Sequence, residues 1–135
     1  MLLLLNYKRE MLKDKSILTT IIQEVPEGGF IGFIEEIPGI NTQGETKEEV
    51  QKNLDDALNL AMDITDIHKK IEFLYNTKIH QLSLDIFGNK EEFINWLTTD
   101  NFYFDKKKPV EYLKTISGIQ FIYERMEGMK IGDNV

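Results

Sequence analysis

The apolar positions of this chain change period near its middle. From Ile17 to Gly44 they come in short runs broken by turn residues, and from Thr46 onward they recur every three or four positions. Ile17 to Glu24 is rich in Ile and Thr, whose branched side chains suit a pleated surface, and it predicts a strand. Pro26-Glu-Gly-Gly29 predicts a turn, and Phe30 to Ile34 a second strand in which Gly32 allows close packing. Pro38-Gly39 marks another turn and Ile40 to Gly44 a short third strand. Thr46 and Glu49 then stand at capping-box spacing. Behind them Val50, Leu54, Ala57, Leu58 and Ala61 form a stripe at helical period, and Glu48 with Lys52 is an i, i+4 pair in the favourable order.

The pattern is least decided between Ile64 and Ile86. Ile67, Ile71 and Leu74 or Tyr75 continue a helix, and Asn76-Thr77 is a candidate break. Ile79, Leu82 and Ile86 suit a helix, whereas Leu82, Leu84 and Ile86 alternate like a strand. Beyond Phe87-Gly88 the helical signals return. Asn89 with Glu92 is a capping-box pattern ahead of Phe93, Ile94, Trp96 and Leu97. Asp100-Asn101 stops that helix, and Pro109 suits the first turn of a short one carrying Val110, Tyr112 and Leu113. Ser117 with Gln120 reads as a further capping box. Ile119, Ile122, Tyr123 and Met126 share one helical face, and Gly128 fits the C-cap. The expected fold class is α+β: a small three-stranded antiparallel sheet packed on one helix, then a helical linker and a small helical domain. The expected boundaries are 11–63, 64–86 and 87–132.

Charge sharpens this division. The chain has 135 residues and a net charge of −7. Residues 17–63 hold two lysines against ten acids, whereas residues 64–135 hold ten basic and eleven acidic groups. The acidity belongs to the first half, which would repel phosphate backbones and attract basic proteins. There is no cysteine, so a disulfide framework, a thiol nucleophile and a Cys-based metal site are excluded, and a reducing cytoplasm is the simplest location. Met1-Leu-Leu-Leu-Leu5 is too short for a signal-peptide core and cannot span a bilayer, and Met11 is an alternative start.

No residue set reads as a reaction centre. His68 and His80 lack a carboxylate at metal-ligand spacing. Glu35-Glu36 beside Pro38-Gly39 could hold Mg²⁺ only with further acids converging on it, and reads as solvent-facing charge. Gly28-Gly29 has no following Lys-Ser/Thr, and Ser16, Ser83 and Ser117 have no evident base. The expectation is no enzyme, no cofactor, no metal and no catalytic residue. What stands out instead is Asn101-Phe-Tyr-Phe-Asp-Lys-Lys-Lys-Pro109, a loop of aromatic and basic residues. Exposed aromatics are enriched at interface cores. The candidate partner-binding residues are therefore Asn101, Phe102, Tyr103, Phe104, Lys106, Lys107 and Lys108, with Glu35 and Glu36 on the acidic half.

Two resemblances fit this reading. Phe87-Gly88, Trp96-Leu97, Thr99, Asn101, Pro109, Leu113, Thr115, Gly118 and Gly128 resemble, in order and spacing, the C-terminal toxin-binding domain of Xre/MbcA/ParS-like antitoxins. The chain departs from that pattern at Phe102 to Lys108, where the family usually has a small Gly-containing turn. Glu27-Gly-Gly-Phe30, Glu36-Ile-Pro-Gly39, Thr42-Gln-Gly-Glu-Thr46 and the helix from Glu48 to Leu60 resemble the HicB-type antitoxin domain. Neither the ribbon-helix-helix nor the helix-turn-helix segment that usually completes HicB-type chains is found. Together the resemblances imply an antitoxin that occludes a cognate protein toxin, either a HicA-like ribonuclease or a RES-type NAD-consuming enzyme. A homo-oligomer, a dimer or larger, is expected on other grounds: the first module's core is small, and an open three-stranded sheet leaves edges that need cover. The alternative is a transcriptional autoregulator touching operator DNA through a dimer, the Asn6–Lys15 arm or the Lys106–Lys108 loop. No membrane partner is expected.

Overall fold

The computed structural model describes residues 16–62 and 66–132. Strands β1 (Thr20–Glu24), β2 (Phe30–Ile34) and β3 (Asn41–Gly44) are followed by helices α1 (Lys47–Met62), α2 (Ile67–Tyr75), α3 (Ile79–Phe87), α4 (Lys90–Leu97) and α5 (Ile116–Lys130). Two 3₁₀ turns, Phe102–Phe104 and Pro109–Tyr112, lie between α4 and α5. The chain divides into two compact units between Leu58 and Asn59, so the last turn of α1 belongs to the second. Met1 to Lys15, with the basic arm and the alternative start, lie outside the described residues.

The first unit is the expected three-stranded antiparallel sheet on one helix. β2 is central, with Thr20 opposite Ile34 and Phe30 opposite Gly44. The first and third strands begin later than the apolar runs that predicted them, at Thr20 and Asn41. Ile17, Leu18 and Ile40 spend their apolar surface on burial just outside the ladder instead. Gly32 sets the helix distance: a Cβ there would overlap Val50 and press on Leu54. Val50, Leu54 and Leu58 are almost wholly buried, one helical stripe. Asn53 ties the helix to the sheet by donating to the Gln43 carbonyl at 3.0 Å. At the helix start Thr46 Oγ1 accepts from the Glu49 N–H at 3.1 Å, while the Glu49 carboxylate accepts from Glu45 rather than from Thr46. Lys52 pairs with Asp56 at 3.2 Å rather than with Glu48, on a face too exposed for the pair to weigh much.

Among its described residues the second unit is built of helices and 3₁₀ turns, with one isolated bridge between Asn101 and Lys107. Asn76 and Thr77 do separate two helices, and Leu82, Leu84 and Ile86 lie on α3 rather than on a strand. The Asp66 carboxylate caps α2, and Asn89 caps α4 by accepting from the Glu92 N–H at 2.8 Å. Two expected termini are corrected. The N-cap of α5 is Thr115, whose Oγ1 accepts from the Gly118 N–H at 2.9 Å, and Ser117 lies inside the helix. Gly128 is also internal: the helix runs to Lys130, and it is Gly132 that takes the left-handed conformation after it, φ 97°. Gly118 is needed for closeness. A Cβ there would overlap the carbonyl oxygen of Tyr112, a backbone atom that cannot swing aside.

Aromatic rings run through this unit in an unbroken series. His80 stacks on Tyr75 at 4.2 Å between centroids. Tyr75 meets Phe93, Phe93 meets Phe87, and Phe87 meets Trp96 at 5.6 Å. Trp96 lies edge-on to Phe104 at 5.9 Å, and Phe104 in turn touches Tyr112 and Phe121. The geometry favours the ring quadrupoles at several of these steps. Phe104 is 1% exposed. It is a core residue, although it sits on no periodic face and was expected beside Phe102 on the open side of its loop. Trp96, expected in the core, is only half-buried; its Nε1 is covered and has no hydrogen-bond partner among the described residues.

Lys70 is the uncomfortable member of this unit. It is 6% exposed on α2, and burial together with the positive charge of Lys114 lowers its pKa from the ordinary lysine value. The unfolded chain therefore holds this proton to higher pH than the folded one. Stability contributed at this site rises with pH between the lowered folded value and the ordinary one.

Three outcomes are expected. Gly118→Ala should cost about 3 kcal/mol or more, because the clash is with main chain, and a urea melt measures it. Phe104→Ala should cost about 3–5 kcal/mol as a truncation of a buried ring. Lys70→Met should raise the melting temperature by a few degrees at neutral pH and flatten the rise in stability toward alkaline pH, checked by thermal melts across pH.

Candidate functional site

The loop from Asn101 to Lys108 is shaped by its own main chain. The Asn101 carbonyl accepts from the N–H groups of Phe104 and Lys106, each at 3.0 Å, and the Asn101 N–H donates to the Lys107 carbonyl at 3.0 Å. Asn101 Oδ1 caps the first 3₁₀ turn by accepting from the Tyr103 N–H at 2.9 Å. Lys107 closes the circuit by donating to the Phe104 carbonyl. The reversal needs two successive left-handed residues, Asp105 at φ 54° and Lys106 at φ 62°, and neither is glycine. Each such residue costs free energy that the surrounding bonds must offset. Asn101, expected as a contact residue, is in this arrangement the organiser of the loop. On its far side the Lys108 N–H donates to Glu111, and Pro109 is buried at the start of the second 3₁₀ turn.

Phe104 anchors the loop from inside, and its carbonyl accepts from the Tyr112 hydroxyl at 3.3 Å. With Phe104 turned in, Phe102 and Tyr103 are turned out. They are 79% and 54% exposed and pack edge-on to one another at 6.0 Å. Lys106, Lys107 and Lys108 are exposed beside them. A stiff loop thus carries two outward rings and three cations, a combination suited to gripping another macromolecule.

A largely apolar groove of about 480 Å³ is walled by Tyr112, Thr115, Gly118 and Phe121. Phe121 is 39% exposed there. Sequence reasoning missed it, although the signal exists: it falls between Ile119 and Ile122, off the face they share. Glu35 and Glu36 belong to the first unit and lie in the turn after β2, not on a strand. The Glu36 carboxylate is engaged locally, accepting from the Thr19 N–H at 2.6 Å and from its hydroxyl at 2.7 Å. It is thereby a clasp on the approach to β1.

His68 and His80 do not meet: the first lies in the opening turn of α2 and the second stacks on Tyr75. Among the described residues no group of three or more His, Asp or Glu is placed to hold a metal ion. No helix among them is long and apolar enough to cross a membrane. Burial pushes the Tyr123 hydroxyl above its usual pKa, with Glu127 adding to the effect. Asp85 is held below the usual carboxylate range by hydrogen bonds from Gln81 and Lys130.

Residues 84–130 match the family model described as the antitoxin Xre/MbcA/ParS C-terminal toxin-binding domain. The match begins within α3, ends with the last residue of α5 and contains the whole loop. A UPF0150 protein of Thermotoga maritima is 36% identical over 50 residues, which cover 36% of this chain and 67% of the relative. A UPF0150 protein of Synechocystis sp. is 39% identical over 49 residues, covering 36% and 68%. No solved structure matches the chain. With two thirds of each relative aligned at this identity, the chain belongs to the UPF0150 protein family, and it joins to that kinship a segment matching an antitoxin toxin-binding domain.

Proposed function

We propose that this protein is the antitoxin of a type II toxin–antitoxin pair and acts by covering its toxin rather than by chemistry. The observation that carries the reading is the family match over 84–130, which encloses a rigid loop with Phe102 and Tyr103 turned outward. In this reading Phe102 and Tyr103 are the anchors and Lys106, Lys107 and Lys108 the rim. Asn101 and Phe104 serve binding from behind, by holding the loop's shape. Glu35 and Glu36 would contribute through the acidity of the first unit, which suits a small basic toxin. A HicB-like role for residues 11–63, joined by the helical stretch 64–86 to a toxin-binding part at 87–132, would make that toxin a HicA-like ribonuclease. The C-terminal match favours a RES-type enzyme instead. The reading includes a cytoplasmic location and a homo-oligomer; the outer edges of β1 and β3 in the sheet order support the latter.

The exposed lysine triad favours one second reading, an autoregulator that touches its own operator. A gel shift at physiological salt with the upstream DNA tests it, and no retardation would dismiss it.

The first reading is tested with the protein encoded by the adjacent reading frame. The Phe102→Ala, Tyr103→Ala double variant should lose about 2 kcal/mol of binding, or roughly thirtyfold in Kd, because paired exposed aromatics are typical hot spots. Its melting temperature should stay within a degree or two of the parent. Full-strength binding by the double variant would remove the loop from the interface. Failure of the intact protein to bind or neutralise that neighbour would remove the antitoxin reading for this pair.

A further inference from the structure

The first unit carries a groove of about 490 Å³ whose character is the inverse of the lysine loop. Its lining is mainly polar, with Glu27, Glu45 and Glu49 as an acidic rim beside Gln43, and Val25, Phe30 and Ile31 supply the smaller apolar part. Ile31 is 40% exposed. Lys47 stands beside it, its Nζ 5.9 Å from the Phe30 ring centroid. Three carboxylates against one ammonium leave the rim at −2. The loop, with Lys106, Lys107 and Lys108 against Asp105, stands at +2 by the same count. The groove offers a mainly polar, acidic surface with a smaller apolar part, and the loop offers two rings framed by cations.

Both surfaces are also stiff. The groove's end is a hydrogen-bonded turn in which the Val25 N–H donates to the Gly29 carbonyl at 3.0 Å and the Gly28 N–H to the Val25 carbonyl at 2.9 Å. A Cβ on Gly29 would come within 2.9 Å of the Gly44 carbonyl oxygen, so this turn is closed tightly on the end of β3. The loop is fixed by the bonds around Asn101. Surfaces already held in shape lose little conformational freedom on meeting.

We propose that the occupant of this groove is the Phe102–Lys108 loop of a second copy of the chain. The rings of Phe102 and Tyr103 enter against Val25, Phe30 and Ile31, and the lysines face Glu27, Glu45 and Glu49. The contact differs from pairing through strand edges, because it uses side chains of the β1–β2 turn and no open ladder. It does not depend on the antitoxin reading. Where that reading also holds, a toxin and a second copy compete for the same two rings, and self-association becomes a reserve that toxin displaces.

The test uses the full chain, which has no cysteine of its own. Lys107→Cys and Glu27→Cys variants, one carrying a mass tag, are mixed under mild oxidation. A disulfide joining the two different chains is expected, at a yield falling at least fivefold between 50 mM and 500 mM NaCl because the rim charges are screened. Sedimentation velocity gives the second arm. The Lys106→Glu, Lys107→Glu, Lys108→Glu variant and the Glu27→Lys, Glu45→Lys variant should each weaken association at least tenfold alone, and a mixture of the two should recover it. Absence of the cross-chain disulfide, a disulfide formed only within a doubly substituted single chain, or triple-variant association equal to the parent's would each overturn the proposal. Toxin binding is read separately by pull-down, so loss of one property is not confused with loss of the other.

Discussion

The second unit depends on how closely α5 can approach the turn that precedes it. Residue 118 lies on the Tyr112 carbonyl, and only hydrogen fits between them. That approach lets Phe121 reach Phe104 and Tyr112 at ring-contact distance. Thr115 then caps the same turn of helix, satisfying the amide that the approach would otherwise leave bare. If the helix stood farther off, Phe104 would lose Phe121, one of its two edge-on partners, and the loop above it would lose part of its floor.

The loop divides labour among three consecutive aromatics. Burial of Phe104 supplies the stabilisation, on the order of a few kcal/mol for a fully covered ring. Part of it offsets the two left-handed residues that follow. Phe102 stays mostly exposed and Tyr103 about half exposed, so both keep surface available for a partner. The alternation follows from the 3₁₀ turn that begins at Phe102: its tight winding sends the third side chain inward and leaves the first two outside. Asn101 makes the arrangement possible by bonding through its amide, its carbonyl and its side chain together.

Much of this architecture is legible in the residues. The sheet-plus-helix unit follows from short β-branched and apolar runs between Pro and Gly turns and from a stripe at Val50, Leu54 and Leu58. The match to the toxin-binding family falls on the stretch whose order of Phe, Trp, Pro and Gly suggested it. One miss arises because periodicity is silent about contacts made outside regular elements, and the others because a local signal lost to a stronger one. Phe104 lies in a three-residue turn, where no stripe can mark it as buried. Ser117 looked like a cap because its spacing to Gln120 was right, but Thr115 wins because its extended backbone points its hydroxyl at the helix amides. Gly128 looked like a stop, but the hydrogen bonds of α5 carry on past it. Lys70 gave no sign of burial, since a lysine stem can cover apolar surface while its sequence neighbours remain polar.

The circuit around Asn101 has a consequence for how such a protein could diverge. The loop's path is written in main-chain hydrogen bonds and in one inward ring, not in the side chains it displays. Positions 102, 103 and 107 can therefore change identity with little effect on whether the chain folds, whereas 105 and 106 are confined to residues that tolerate positive φ. A duplicated copy could acquire a different charge or ring at the display positions in a few mutational steps, each passing through a folded protein. Separate pairs in one cell could be insulated from each other in this way without any remodelling of the platform beneath.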